Sequence, residues 1–166
     1  MTTTTAQLAA WADRHEVIVL EGCDGAGKTT LAIELSQRHG YQLVHATRTP
    51  EGADLAERYR SILAWPGRLV LDRCFVSELV YGPLLHGRSR LAPDQITALI
   101  EIVADRGGLL VHLTARPEVI AARLRQRDGI APDLNELTAL INGYTDVFAD
   151  LARRAPIVTI DAARAA

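Results

Sequence analysis

The sequence is poor in cysteine, methionine and aromatic residues, and it has no long hydrophobic run. Its 166 residues include two cysteines, one methionine, two tryptophans and two phenylalanines. Neither Cys23 nor Cys74 stands in a metal-ligand spacing, and the five histidines form no metal-like or triad-like pattern. The longest apolar stretches, such as residues 17–20, are far too short to span a bilayer. We therefore expect no membrane-embedded segment.

An excess of positive charge is also missing. The formal net charge is −2 at pH 7, and no run of like charges occurs. A protein that coats nucleic acid needs a basic surface, so we expect no nucleic-acid polymer as a partner, and any phosphate binding has to be local. The first five residues lack the positive start and apolar core of a secretory signal. We therefore expect a protein of the reducing cytoplasm.

The residues that are present suit one compact domain. Hydrophobic residues make up 48% of the chain and charged residues 23%, which provides enough apolar material for a filled core. We predict a single domain over residues 1–166, in which residues 1–15 form a tail that leads into a short helix.

Short β-branched runs alternate with helical patterns along this domain. The alternation predicts an α/β fold, a three-layer α/β/α sandwich with a five-stranded parallel sheet. The predicted strands are Glu16–Leu20, Tyr41–Ala46, Arg68–Asp72, Leu109–Leu113 and Pro156–Ile160. The predicted helices cover Ala6–Asp13, the segment after a glycine-rich loop as far as Gly40, Asp54–Ala64, 76–86, 94–106, Pro117–Arg127 and Asp133–Arg153.

The glycine-rich loop follows the first predicted strand. Residues 22–29 read G-C-D-G-A-G-K-T, the full G-x-x-x-x-G-K-[ST] phosphate-loop pattern. Its glycines allow backbone N–H groups to point at phosphate oxygens, and the following helix adds its positive dipole end. Lys28 is expected to reach the β- and γ-phosphates, and the Thr29 hydroxyl to hold Mg²⁺. With ATP and Mg²⁺ as cofactors, the predicted binding residues are Gly22, Asp24, Gly25, Ala26, Gly27, Lys28, Thr29 and Thr30.

A second polar group stands at the end of the third predicted strand, where open α/β sheets bind their ligands. Asp72 can hold Mg²⁺ through water near Thr29, and Arg73 can grip an acceptor phosphate bidentately. The other interpretation is a structural ion pair that caps a helix. We predict Asp72 as a metal-site residue, and Lys28, Asp72 and Arg73 as catalytic residues.

These motifs resemble those of thymidylate kinases. Residues 21–30, E-G-C-D-G-A-G-K-T-T, resemble the phosphate loop of that family. Residues 72–81, D-R-C-F-V-S-E-L-V-Y, are similar to its D-R-Y-x-x-S-x-x-A-Y segment, and residues 47–52, T-R-T-P-E-G, to its T-R-E-P-G-G segment. The resemblance runs from about residue 16 to residue 162 and implies the P-loop NTPase fold of nucleoside monophosphate kinases.

The resemblance implies roles that the patterns alone leave open. Asp24 would face the acceptor and orient an arginine or a sugar hydroxyl; without the resemblance it is a turn residue that bonds its own loop. The segment around residue 48 would line the acceptor pocket; alone it is an ordinary turn. The implied acceptor-binding residues are Asp24, Arg48, Pro50, Arg73, Ser77 and Tyr81.

Several arginines precede a short predicted lid at about residues 123–133. Gly25 stands where some thymidylate kinases carry a catalytic arginine, and other members supply arginines from a mobile lid. Arg123 and Arg127 share a helix face and align with the family's arginines, so we predict that both stabilise charge on the transferring phosphoryl group. A solvated basic helix face is the other interpretation.

The chain also departs from the family pattern. Cys74 replaces the usual tyrosine, and Gly82 stands where a glutamine is common. The family's base-reading helix is shortened to residues 53–67, where Arg58, Tyr59 and Arg60 are the available substitutes.

The resemblance implies ATP-dependent phosphorylation of a (deoxy)nucleoside monophosphate, such as dTMP, to its diphosphate. Because family members are often dimers, a homodimer is expected as well. Two other functions stay open. One is phosphorylation of a hydroxyl on a nucleoside or another small metabolite. The other is an ATP-binding regulatory module without acceptor-dependent turnover.

Overall fold

A computed structural model describes residues 5–47, 49–50, 52–130 and 132–162 of the chain. Its strands are β1 (Val17–Glu21), β2 (Gln42–His45), β3 (Leu69–Asp72), β4 (Leu109–Thr114) and β5 (Ile157–Asp161). Its helices are α1 (Thr5–Arg14), α2 (Lys28–His39), α3 (Leu55–Leu63), α4 (Phe75–His86), α5 (Pro93–Asp105), α6 (Pro117–Asp128) and α7 (Leu134–Leu151). The strands form one parallel sheet in the order β2-β3-β1-β4-β5.

The central strand β1 is buried on both faces. Successive side chains of a strand point to opposite faces, and all five β1 residues are buried. Helix α2 packs against β1, β2 and β3, while α7 packs against β4 and is joined by α4 and α6. The continuous apolar run of a strand covered on both sides is typical of parallel sheets. The predicted α/β sandwich with five parallel strands is confirmed.

Most predicted elements differ from the observed ones by one or two residues at their ends. Asp54 and Asp133, predicted as helical, are N-caps instead: the Asp54 carboxylate accepts from the Glu57 N–H, and that of Asp133 accepts from the N–H groups of residues 135 and 136. N-cap residues have extended backbones, so the helices begin one residue later. The predicted lid begins inside α6, which continues to Asp128.

The carboxyl ends of the parallel strands meet at one edge of the sheet. The register places Leu20 of β1 and His45 of β2 on either side of Asp72, and places Glu21 beside His112 of β4. The glycine-rich loop and the D-R segment therefore emerge next to each other. Among the described residues, no helix has both the length and the apolar character required to cross a bilayer.

Candidate active site

The glycine-rich loop turns tightly between β1 and α2. Gly22 has a φ of +142°, and a Cβ there would lie 2.1 Å from the carbonyl oxygen of Leu113. Gly27, which precedes the first residue of α2, has a φ of +94°. Glycine is needed at position 22 because the backbone there passes close to β4. It is needed at position 27 because the backbone there is left-handed. These two glycines therefore allow the tight turn from β1 into α2.

The Lys28 ammonium lies over the loop that precedes it. Its Nζ donates to the carbonyl oxygens of Gly22 and Cys23, at 2.9 Å each, and the residue is 5% exposed. Burial and the neighbouring Arg73 lower the pKa of Lys28, whereas three nearby carboxylates oppose that shift. A cation in this position can contact phosphate oxygens that the loop amides bind.

Thr29 and Asp72 form a site suited to Mg²⁺. Thr29 Oγ1 donates to Asp72 Oδ2 at 2.6 Å, and His45 Nδ1 lies 3.2 Å from the same oxygen. Mg²⁺ prefers oxygen ligands and usually keeps several waters, so a hydroxyl beside a carboxylate fits this ion. The part of the chain that is described contains no group of three or more His, Cys, Asp and Glu side chains able to hold a metal. Phosphate oxygens and water would have to complete the coordination.

Arg73 reaches back to the loop from an unusual backbone conformation. Its φ is +72°, the only positive value among the described non-glycine residues, and its N–H donates to Leu20 O at 3.0 Å. Its guanidinium pairs with Asp24, lies 3.5 Å from Ser77 Oγ and sits 5.6 Å from the ring centre of Tyr81. Backbone strain of this kind is often found at functional sites. The three predicted acceptor residues around Arg73 are thus brought together.

A buried carboxylate joins β1 to the start of α4. Glu21 is fully buried; its Oε1 accepts from the Cys74 N–H at 2.6 Å and the Ser77 N–H at 3.2 Å. Its Oε2 accepts from the hydroxyls of Ser77 at 2.6 Å and Tyr144 at 3.5 Å. Burial raises the pKa of Glu21, opposed by the bonds from Ser77 and Cys74. Glu21 therefore caps α4 from another element of the fold.

Glu21 was not among the predicted site residues. One feature of the sequence could have indicated its role: Glu21 is an acidic residue at the end of an otherwise apolar strand, directly before the first glycine of the loop. Ser77, predicted to contact the acceptor, directs its hydroxyl to Glu21 in this structure. Tyr144 is fully buried, and its hydroxyl lies 3.1 Å from that of Ser77.

A cleft of about 720 Å³ opens at the carboxyl edge of the sheet. Most of the predicted ATP-side and catalytic residues line it. The lining includes residues 24–30 of the loop and α2, together with His45, Asp72, Arg73, Arg123, Arg127 and Ala162.

Helix α6 covers one side of this cleft. A Cβ on Gly25 would lie 3.2 Å from Leu124 Cγ and 3.3 Å from a methyl group of Ile120, so an arginine at position 25 has no space. Arg123 donates to the carbonyl oxygens of Gly25, at 3.3 Å, and Ala162, at 2.6 Å. Arg127 is exposed at the rim and pairs with the adjacent Asp128. Positive charge above the loop therefore comes from α6.

The segment after β2, predicted to line the acceptor pocket, is described only in part. Arg48 lies outside the described residues, and Pro50 is exposed and does not line the cleft. Thr47 and Thr49 both accept hydrogen bonds from the guanidinium of Arg58 in α3.

The substitutes for the base-reading helix are held by other parts of the fold. Arg58 is bound to the two threonines, and Arg60 pairs with Glu57 at 2.6 Å. Tyr59 is buried and packs edge-to-face against Phe75, with ring centres 6.3 Å apart. These side chains are committed to structural contacts.

Gly82 is explained by a neighbouring turn. A Cβ at this position would lie 2.8 Å from Glu78 Oε1 and 2.9 Å from the carbonyl oxygen of Arg88. Glu78 holds the turn because it accepts from Arg90 through the backbone N–H, at 2.8 Å, and the guanidinium, at 3.1 and 3.2 Å. The glutamine common in thymidylate kinases does not fit here.

Comparison with known proteins defines the fold. No protein-family model matches the chain. The YorR protein of Bacillus subtilis, solved in complex with phosphorylated GDP, superposes with a TM-score of 0.79 at 24% identity, covering 89% of this chain and 86% of that one. This chain has a P-loop kinase fold.

Two kinase structures share the fold at lower identity. A deoxyadenosine kinase from M. mycoides with bound dCTP matches with a TM-score of 0.57 at 15% identity, over 89% of this chain and 90% of that one. A gluconokinase from Sinorhizobium meliloti 1021 matches with a TM-score of 0.60 at 20% identity, over 91% and 85%. Likeness at these identities establishes fold and leaves activity to be argued from the site.

Proposed function

We propose that this chain is an ATP-dependent phosphotransferase that converts a (deoxy)nucleoside monophosphate to its diphosphate. The observation that carries the proposal is Arg73, which is held by Asp24 at the rim of the cleft that also contains Lys28 and Thr29. A guanidinium beside a phosphate loop suits an acceptor that already carries a phosphate, because it offsets the repulsion between the two phosphate groups.

The nearby carboxylates support this acceptor. A hydroxyl acceptor has to lose a proton, and general bases commonly take it. Glu21 is enclosed by donors, Asp24 is paired with Arg73, and Asp72 is bonded by Thr29. A phosphate oxygen is already anionic and needs no such base.

The residues of the site supply positioning and charge. Lys28 and the loop amides bind the ATP phosphates, and Thr29 and Asp72 are the residues that would hold Mg²⁺. That ion, when bound, neutralises developing negative charge on the phosphates. Arg73 orients the acceptor phosphate. Since phosphoryl transfer requires little covalent chemistry from the protein, this alignment accounts for most of the catalysis.

Arg123 and Arg127 add charge stabilisation from α6, and the segment at about 123–133 acts as a lid. Arg123 already contacts the loop, while Arg127 is available at the rim. We expect Arg127 to move to the transferring phosphoryl group when the lid closes.

Among acceptors, dTMP is the one that the thymidylate kinase resemblance implies. A second candidate is phosphorylation of a hydroxyl on a nucleoside or sugar, which the deoxyadenosine kinase and gluconokinase neighbours bring into consideration. We place the enzyme in the cytoplasm and expect a homodimer, which light scattering on the purified protein tests.

The decisive experiment incubates the protein with ATP-Mg²⁺ and a panel of ribo- and deoxynucleoside monophosphates, with nucleosides as controls. Products are separated by ion-exchange chromatography. Diphosphate formation supports the proposal. Phosphorylation of nucleosides alone supports the second candidate, and slow ADP release with every acceptor indicates the regulatory module.

Variants then test the assignments. Lys28→Ala and Arg73→Ala are expected to abolish transfer, because each removes a phosphate-binding cation. The exposed Arg88 provides a matched control, and Arg88→Ala should retain most activity. Near-normal turnover in folded Arg73→Ala contradicts the acceptor assignment.

A further inference from the structure

A second cavity, of about 280 Å³, adjoins the cleft. Asp24 and Arg127 line both spaces, so the two meet at the loop and the end of α6. Tyr81 of α4 forms one wall, and Leu137 and Leu140 of α7 form another. Complete small-molecule pockets usually occupy about 300–1,000 Å³, so this cavity suits part of a ligand whose phosphate lies in the cleft.

The side chains of α3 and α4 that could bind a base are already engaged in other contacts. Arg58 is bound to Thr47 and Thr49, and Tyr59 is a core residue. On α4, the Glu78 carboxylate is taken by Arg90. The small cavity adjoins the cleft, and its lining includes a side chain that is able to form new hydrogen bonds.

That side chain is Glu136. It lines the cavity from the first turn of α7, and no described residue donates to its carboxylate, while Asp128 nearby is already paired with Arg127. A carboxylate accepts hydrogen bonds and cannot donate them. The amino groups of cytosine and adenine are donors, whereas thymine presents a carbonyl acceptor at the corresponding position.

We propose that the acceptor base lies between Tyr81 and α7, and that Glu136 selects cytosine and adenine, whose exocyclic amino group stands where thymine has a carbonyl. The apolar side chains of Leu137 and Leu140 cover the base, and the carboxylate receives its amino hydrogen. The inference rests on the proposed monophosphate kinase function and narrows it. dCMP or dAMP, and not dTMP, is the preferred acceptor.

The first test compares dCMP, dAMP and dTMP as acceptors for the wild type and for Glu136→Gln. We expect wild-type kcat/KM to favour an amino-bearing base by about tenfold or more, since one good base contact contributes roughly 1–3 kcal/mol of discrimination. An amide both donates and accepts, so Glu136→Gln should remove most of this preference, mainly through KM. Glu101→Gln, an exposed change on α5, is the matched control and should keep it.

A second pair of variants tests the cavity. Leu140→Trp fills it, while Leu134→Trp adds the same group to a 45% exposed position on the same helix. Leu140→Trp should raise the acceptor KM by about tenfold or more and leave the KM for ATP unchanged, and Leu134→Trp should change neither. Calorimetric titration of each monophosphate into the protein with ADP gives the same comparison without turnover.

The outcomes separate the two proposals. Conversion of monophosphates with dTMP preferred, or with unchanged selectivity in Glu136→Gln, overturns the inference and leaves the proposed function standing. Equal acceptor KM values in the two tryptophan variants also overturn it. If no monophosphate is bound or phosphorylated, the proposed function fails and the inference fails with it.

Discussion

The hydroxyl of Thr29 and the carboxylate of Asp72 are joined by a 2.6 Å hydrogen bond across 43 residues of sequence. His45 contacts the same carboxylate oxygen at 3.2 Å. One carboxylate oxygen therefore positions both the start of α2 and the end of β2, which makes Asp72 the centre of the expected metal site.

Asp72→Asn is expected to weaken metal-nucleotide binding. The amide oxygen can still accept from Thr29, so the fold should persist, but the negative charge is lost. We expect about 10- to 100-fold weaker Mn²⁺ binding in the presence of ADP, measured by electron paramagnetic resonance titration. Asp13→Asn, at an exposed position of α1, is the control. Equal Mn²⁺ affinity in both variants would remove Asp72 from the metal site.

Substitutions of Glu21 distinguish a phosphate acceptor from a hydroxyl acceptor. Glutamine can preserve the contacts of Glu21 with Cys74 and Ser77, whereas alanine leaves their N–H groups unpaired. We expect Glu21→Ala to lower the free energy of unfolding by roughly 1–3 kcal/mol, measured by urea denaturation, and Glu21→Gln to lower it less. Acceptor-dependent turnover of Glu21→Gln should stay within a few-fold of wild type. A loss of roughly 10²–10⁴-fold would instead identify Glu21 as a general base and favour a hydroxyl acceptor.

Gly25 is expected to tolerate no side chain because α6 packs on it. Gly25→Ala adds a Cβ beside Leu124 Cγ at a φ of +79°. We expect a loss of about 1–3 kcal/mol of stability from overpacking together with backbone strain. Gly129 has the same φ with open space around it, so Gly129→Ala measures the strain alone.

A double-mutant cycle with Leu124→Ala isolates the steric part of this effect. The coupling between Gly25→Ala and Leu124→Ala should exceed about 0.5 kcal/mol, in the direction of rescue. Additive effects would show that α6 does not press on the loop in solution.

His112 should make stability fall in mild acid. Burial lowers the pKa of His112 to about 4, from an ordinary value of 6.5. Between these two pH values the unfolded chain takes up a proton that the folded chain does not, so stability is complete above pH 6.5 and is lost as the pH falls toward 4. The contribution is about 3 kcal/mol.

His112→Phe tests this contribution. A phenyl ring can keep the stacking on Phe148, whose ring centre lies 4.6 Å from that of His112, but does not titrate. Urea denaturation between pH 7.5 and 4 should show a shallower loss of stability in His112→Phe. His86→Gln, at an exposed position, should keep the wild-type slope. The same slope in all three proteins would contradict the assignment.

Local patterns were sufficient to predict the sheet and helices. The apolar run at residues 17–20 and the glycine at position 40 each determine structure within a few residues of themselves. The sequence pattern alone therefore indicates the strand and the helix end. The positions of the glycine-rich loop and of the Asp72-Arg73 pair could be predicted for the same reason, since each is a short motif at a strand end. Element ends were less accurate, because a cap such as Asp54 is recognised by its hydrogen bond and not by residue type alone.

Contacts between distant segments could not be predicted. Glu21 and Ser77 are 56 residues apart, and Glu21 and Tyr144 are 123 apart. Their meeting depends on the β1–β3 register and on how α4 and α7 pack, which no local pattern contains. The hydrogen bonds from Arg90 to Glu78 could not be predicted from the sequence either. They matter because they decide which surface remains available to an acceptor base.

The crowding at Gly82 has an evolutionary consequence. A glutamine at position 82 has no space while Arg90 holds Glu78 and the 88–90 turn against α4. Loss of either partner would first have to release the turn, at a cost to stability, before the larger side chain became acceptable. Positions 78, 82 and 90 are therefore expected to change together in descendants of this sequence, and the glutamine should be deleterious as a single substitution and neutral only after position 78 or 90 has changed.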